Sequence, residues 1–313
     1  MKTLLLSLSV VVSLMAGTGA PAIVAATNPA PPTPIPQLTN ISTRASVETG
    51  DNVVIGGFIV QGSGTDRVII RALGPELTQY GVSNALHNPT LELHDGSGAL
   101  IASNDNWVMT IIGGIITQSQ VRDIMASGYA PTNGLESAII ADLPPGNYTA
   151  IVRGVNDTTG VGLIEVYDLN DPGIVPSSFL RNISSRSVVL TGDDVMIGGF
   201  IVQGSGTKRV IVRAIGPELS QHGVPFPLPD PTLELHDASG AVIASNDNWQ
   251  TTVLGGIITK DQVMDIQGSG YAPTQASESA IIADLAPGRY TAIVRGKNIT
   301  VGVALVEVYD LDQ

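Results

Sequence analysis

Apolar residues fall along this chain in runs of five to eight separated by turn formers, the spacing of strands. Strands are predicted over residues 53–60, 67–73, 90–94, 99–103, 136–143, 148–153 and 161–168. Leu91 and Leu93 alternate with Glu92 and His94, so that strand buries one face and wets the other. Residues 53–60, and residues 136–143 after the first few, are apolar at both parities, which suits central strands of a two-sheet sandwich. The turns agree. DGSG at 95–98 and DASG at 237–240 close one hairpin, GSG at 62–64 closes another, and PPG at 144–146 with APG at 286–288 puts Pro and Gly where a tight turn uses them. One helix is predicted, over residues 118–126, with Thr117 as N-cap, Val121, Ile124 and Met125 at helical spacing, and an end near Gly128.

The pattern occurs twice. NISTR at 40–44 returns as NISSR at 182–186, and the same shift of 142 positions aligns Trp107 with Trp249 and Tyr167 with Tyr309 without a gap. Roughly 70% of aligned positions are identical, a duplication of one unit of about 130 residues. The differences gather at residues 83–88, 108–119, 133–135 and 155–159, where loops are expected. The fold class predicted is all-β: two tandem β-sandwich, jelly-roll-like domains, each with at most one short helix. The divisions are a signal peptide at 1–26, a Pro-rich linker at 27–37, repeat 1 at 38–170, a linker at 171–178 and repeat 2 at 179–313. That second linker carries Pro172, Gly173 and Pro176, and eight residues reach at most about 28 Å, so the two units must lie close together.

Lys2, an apolar run over residues 4–15 and small residues at Val24, Ala25 and Ala26 read as a secretory signal peptide cleaved after Ala26, with Thr18, Gly19 and Ala20 as the competing site, and the run is too short to span a bilayer as a helix. Five prolines within residues 28–37 favour an extended spacer. Composition narrows the classes: 35 Gly and 20 Pro against 14% charged residues disfavour a helical bundle, and 43% hydrophobic residues disfavour a disordered tail. The absence of cysteine excludes disulfides, thiolate metal sites, cysteine nucleophiles and a lipid-bearing cysteine. A net charge of −13 offers no basic footprint for nucleic acid. The carboxyl end, YDLDQ, has no apolar tail, so no membrane anchor is expected.

The strings IASNDNW at 101–107, ESAI at 136–139, LPPGNYTAIVRG at 143–154 and the segment 161–169 resemble an uncharacterised family of secreted bacterial β-sandwich repeats, over residues 38–169 and 180–311. More distantly, the strand-turn-strand ending in PGxYT is similar to the bacterial pre-peptidase C-terminal domains. The first resemblance implies fold and secretion. The second implies a non-catalytic accessory role that in some members involves polymeric substrate or calcium, although no enzyme domain accompanies the repeats here.

Four groups of residues are candidates for chemistry. Asp95 with Asn104, Asp105 and Asn106, and Asp237 with Asn246, Asp247 and Asn248, offer the oxygens that Ca2+ takes, if two hairpin ends bring them together; the alternative is that they shape Asx-turns. Trp107 and Trp249 suit a sugar platform if exposed and a packed end of the sandwich if not, and Tyr129 and Tyr271 in GYAP loops suit either role. His94 and His236 share a strand face with Glu92 and Glu234, too few ligands for zinc. Arg67, Arg71 and Arg153 with Glu165 sit at parities that allow cross-strand ion pairs. For catalysis there is no GxSxG, HExxH or phosphate loop, and carboxylates such as Glu76, Glu92 and Glu136 form a glycosidase pair only if folding sets them at the right separation. The expectation is a secreted, non-catalytic binding module whose partner is an extracellular polymer or a cell-surface protein; the alternative is a structural component of the envelope or matrix, and a secreted hydrolase comes last.

Overall fold

The computed structural model describes residues 36–170 and 177–312; the signal peptide, most of the Pro-rich linker and residues 171–176 of the second linker lie outside the described residues. Repeat 1 forms β1 (Gln37–Val47), β2 (Val54–Gly62), β3 (Asp66–Leu73), β4 (Pro89–His94), β5 (Leu100–Asn104), α1 (Val121–Ala126), β6 (Ser137–Leu143), β7 (Gly146–Gly154) and β8 (Gly160–Asp168). Repeat 2 copies it as β9 (Ser178–Val189), β10 (Met196–Gln203), β11 (Lys208–Ile215), β12 (Pro231–His236), β13 (Val242–Asn246), α2 (Val263–Gly268), β14 (Ser279–Leu285), β15 (Gly288–Gly296) and β16 (Gly302–Asp310). The fold is all-β, and the segments that differ between repeats are loops around these strands.

The sixteen strands pair antiparallel in two layers of eight. One layer runs β13-β12-β15-β10-β1-β8-β3-β6. The other runs β5-β4-β7-β2-β9-β16-β11-β14. Each repeat therefore supplies half of each layer. The seams are β1 against β10 and β9 against β2, and the two layers touch where Ser46 pairs with Val188. Those two residues are equivalent under the 142-residue shift, so a pseudo-two-fold axis passes between them.

Between the layers lies one apolar core that ignores the repeat boundary: Ile41, Phe58, Val68, Leu91, Ile139 and Ile164 belong to the same cluster as Ile183, Phe200, Val210, Leu233, Ile281 and Val306. Continuous sheets and a shared core join residues 36–170 and 177–312 in one body in place of the two tandem sandwiches expected, as happens when the exposed edges of two half-sandwiches find each other.

The strand edges far from the axis are closed by side-chain amides. Gln120 accepts the Ile140 N–H through Oε1 (3.1 Å) and donates Nε2 to the Ile140 carbonyl, as a neighbouring strand would. This engagement also explains why α1 begins at Val121 with no side-chain cap from Thr117: the turn before it is committed to β6. Gln262 repeats the arrangement on Ile282. Replacing both, Gln120→Ala with Gln262→Ala, is expected to lower stability by about 2–4 kcal/mol, two buried backbone groups losing their partners at each site. It should also produce concentration-dependent association through the bared edges, visible in sedimentation velocity; a variant as stable and as monomeric as the parent would show that the amides do not guard the edges.

Candidate functional site

Each predicted site residue has a definite place, and most are occupied by the fold. Asp95 heads the β4–β5 turn, where Oδ1 accepts the Ser97 N–H (2.9 Å), the Ser97 hydroxyl (2.6 Å) and the Ala99 N–H (3.1 Å). Asp237 does the same with Ser239 and Ala241. These hydrogen bonds, the Ser hydroxyl first, hold both carboxyls below the usual carboxylate range. Asn104 lies at the other end of β5, so Asp95 and the Asn104, Asp105, Asn106 group sit at opposite ends of the hairpin and form no joint calcium cage. Geometry forces this, because a two-strand hairpin puts its turn and its exit at opposite ends.

Asn104 is buried and structural. Its Oδ1 accepts the Ala138 N–H (3.2 Å) on the edge of β6 and its Nδ2 donates to the Met109 carbonyl (3.0 Å), as Asn246 does with Ala280 and Thr251. Asp105 and Asn106 each keep a buried Oδ1 without a partner, as does Asn88 nearby in the chain order of strands. In repeat 2 the equivalent Asp247 and Asp230 share the Lys297 ammonium at 2.7 and 3.5 Å, while the Asn248 carbonyl accepts the Thr251 N–H. Among the described residues no three His, Cys, Asp or Glu side chains gather as metal ligands.

The aromatic candidates pack inward. The Trp107 indole N–H donates to the Asn133 carbonyl (3.0 Å), and its ring covers Ile69, Ile124 and Ile140. Trp249, bonded in the same way to Gln275, is 5% exposed and presents no ring face to a ligand. Tyr129 and Tyr271 stack on Tyr167 and Tyr309 with centroids 4.3 Å apart. Beneath each stack lies a buried charge pair: Arg71 is bonded to Glu165 and to the Tyr129 carbonyl (2.8 Å), Tyr167 donates its hydroxyl to Glu165 (2.9 Å), and Arg213, Glu307, Tyr271 and Tyr309 repeat the set. Arg67 pairs outside with Asp123 and Asp142, and Arg153 lies 3.9 Å from Glu92. His94 rests on Glu92 (3.4 Å) and the Gly98 carbonyl, and His236 on Glu234.

Nor do the carboxylates named for hydrolysis point into a common cleft. Glu136 is buried, and its two oxygens accept the N–H groups of Gly74 and Glu76 (2.7 Å each), anchoring the 3-10 turn Pro75–Tyr80. Burial pushes its carboxyl up to about 7 against the pull of those bonds. Glu76 in turn accepts the Thr132 N–H.

Among the exposed apolar side chains, two equivalent loops each hold three together. After β5 the chain makes a tight excursion in which Gly113 bridges Ile116 and the Ile115 N–H bonds the Ile101 carbonyl (2.9 Å), closing the edge of β5. Gly114, at φ +54, must be glycine, because a Cβ would lie 2.0 Å from the Ile101 oxygen. The excursion turns Ile111, Ile112 and Ile115 outward, Ile112 being 59% exposed. Repeat 2 copies the geometry with Val253, Leu254 (63% exposed) and Ile257. Since β5 with β6 closes one end of the sandwich and β13 with β14 the other, the two tips are separated by the width of eight strands, about 34 Å. The sequence showed these segments only as variable loops; the repeated aliphatic triplets around Gly-Gly were the signal.

No family model matches the chain, and no curated protein matches it. Among solved structures, a DUF4785 family protein from Legionella pneumophila shares 8% identity over 87% of this chain and 82% of its own, at a TM-score of 0.22. The T6 backbone pilin of Streptococcus pyogenes shares 12% identity over 86% of this chain and 53% of its own, at a TM-score of 0.14. Likeness at that level bears on neither fold nor activity. No helix among the described residues is long and apolar enough to cross a membrane.

Proposed function

We propose that the protein is a secreted, non-catalytic module that holds an extracellular polymer or a cell-surface protein through the two equivalent apolar loops at the ends of its sandwich. The observation that carries this reading is the duplicated exposure of Ile111, Ile112 and Ile115 and of Val253, Leu254 and Ile257, aliphatic side chains held in water by a loop built the same way twice. Secretion rests on the sequence of residues 1–26 and on the resemblance to secreted bacterial repeats. Two tips about 34 Å apart suit a repetitive or extended partner, where engagement of one raises the effective concentration of the other.

The test is co-sedimentation of the purified chain with cellulose, chitin, peptidoglycan and collagen, in calcium and in EDTA. Selective retention is expected on one of them. Ile112→Asp or Leu254→Asp alone should weaken it by at least about tenfold and the pair should abolish it, as avidity requires. Retention on none, or retention indifferent to both substitutions, refutes the proposal; concentration-dependent oligomers without retention would favour the alternative, an assembly component of the envelope or matrix.

A further inference from the structure

Where the two repeats differ inside the fold, the differences bear on charge. At the end of the β11–β16 pair in repeat 2, the Lys208 ammonium lies 2.6 Å from Asp310 and 3.5 Å from Asp312, and both Lys208 and Asp310 are buried. The equivalent residues in repeat 1 are Asp66, Asp168 and Asn170. The cation has become a carboxylate and one carboxylate has become an amide, which leaves two acids and no base. A second difference points the same way: Arg181 of repeat 2, which donates to Gln61 of β2 across the seam, is Thr39 in repeat 1.

At Asp66 the exchange brings a buried and a half-buried carboxyl together without a base. Val68 pairs with Asp168 across β3 and β8, which sets Asp66 opposite Asn170 as the strands end. Asp66 is 0% exposed; Oδ1 accepts Asn170 Nδ2, and Oδ2 is buried with no protein donor while the carboxyl lies against that of Asp168. Thr39, one residue beyond the Asn40–Tyr167 pair and so beside Asp168, holds a further buried oxygen without a partner. Burial, and then the charge of Asp168, push the Asp66 carboxyl up to about 7, and burial raises Asp168 too.

The rest of the molecule shows what a compensated exchange looks like. Lys297 joins Asp230 and Asp247 in repeat 2; in repeat 1 Val155 replaces the Lys and Asn88 replaces one Asp, so the base and an acid are lost together. At Asp66 no such balance was kept. Reach supports an ion there: an ammonium sits four bonds from Cβ, whereas a carboxylate oxygen sits two, and a metal–oxygen bond of about 2.4 Å restores most of the difference.

We propose that repeat 1 binds a hard divalent cation, Ca2+ in the first instance, between Asp66 and Asp168, in the place that the Lys208 ammonium fills in repeat 2. Carboxylates, the Asn170 amide turned to present its oxygen, the Thr39 hydroxyl and water form an all-oxygen set of the kind such ions take. The site is separate from Asp95 and from the Asn104, Asp105, Asn106 loop.

Calorimetric titration of the EDTA-stripped, purified chain with Ca2+, Mg2+ and Mn2+, paired with thermal melts, tests this. One equivalent of Ca2+ per chain and a melting temperature raised by several degrees are expected. Asp66→Lys should abolish binding and melt, without metal, at least as high as the metal-free parent, because the new ammonium faces Asp168 as Lys208 faces Asp310. Asp66→Asn, which needs no room for a longer side chain, should abolish binding as well. No heat and no stabilisation with any of the three ions at millimolar concentration overturns the proposal, as does binding that survives both substitutions. Neither result depends on whether the apolar loops retain a polymer.

Discussion

Residues 38–170 expressed alone are expected to purify as a homodimer. Cutting the chain between the repeats strips β10 from β1 and β9 from β2, leaving two long strand edges and half of a continuous core bare. A second copy of the same fragment can cover them, because the seam is built from repeated residues. Ile41 faces Phe200, Ser42 faces Gly199 and Arg44 faces Ile197 on one side; Ile183 faces Phe58, Ser184 faces Gly57 and Arg186 faces Ile55 on the other. Substituting each partner by its equivalent in repeat 1 preserves every one of these pairs, and the pseudo-two-fold at Ser46 and Val188 becomes a true two-fold. Light scattering after size exclusion should give twice the fragment mass, with denaturation midpoints that rise with concentration. Gly57→Ile should weaken the dimer, since a Cβ at that position meets the Ser184 carbonyl at 3.3 Å and the Ser184 Cβ at 3.7 Å, and a branched side chain crowds both. A folded, monomeric fragment would mean that each repeat is complete without the other and that the seams are incidental.

Two of the four strands that make this seam, β1 and β9, are the ones the hydrophobic pattern hides. Residues 37–47 read QLTNISTRASV, and nothing in them alternates cleanly between apolar and polar. In the fold, Leu38, Ile41, Ala45 and Val47 face the core, but so does Thr43, fully buried opposite Gly198, with Ser185 its counterpart opposite Gly56. Small hydroxyl side chains stand where a periodicity argument requires large apolar ones, and the strand earns its place by pairing on both edges. Turns and loops were easier, because Asp-x-Ser-Gly and Pro-Gly act through local chemistry that needs no partner. The calcium reading needed two hairpin ends to bring Asp95 and Asn104 together, whereas the register of β4 with β5 puts them at opposite ends of one hairpin. The exchange of Asp66 for Lys208 lies outside the variable loops, and its meaning depends on Asp168 and Asp310, which only the pairing of β3 with β8 and of β11 with β16 brings alongside.

Arg71→Met should cost about 3–5 kcal/mol, a large fraction of the margin of about 5–15 kcal/mol that holds an ordinary domain folded. Arg71 and Glu165 are 12% and 9% exposed in their side chains, so removing the guanidinium strands a carboxylate in a place water scarcely reaches. The loss spreads further. The same guanidinium bonds the Tyr129 carbonyl and lies 5.4 Å from the centre of the Tyr167 ring, fixing the stack that closes the outer face of β3, β6 and β8. Glu165 still accepts the Tyr167 hydroxyl, but one neutral donor does not offset a buried charge. Adding Glu165→Leu removes the stranded charge, and the double variant should recover more than half of the loss, because a buried ion pair stabilises little over an apolar pair of similar volume. Urea midpoints with unchanged slopes measure each step. Repeat 2 supplies a near replicate within the same molecule: Arg213, Glu307, Tyr271 and Tyr309 repeat these bonds and the ring contact of 5.4 Å, with the Ser184 hydroxyl an added donor to Glu307 (3.2 Å), so Arg213→Met should match Arg71→Met to within about 1 kcal/mol. A loss below about 1 kcal/mol at both sites would place the charges in water after all, and the tyrosine stacks, not the ion pairs, would then hold the outer face together.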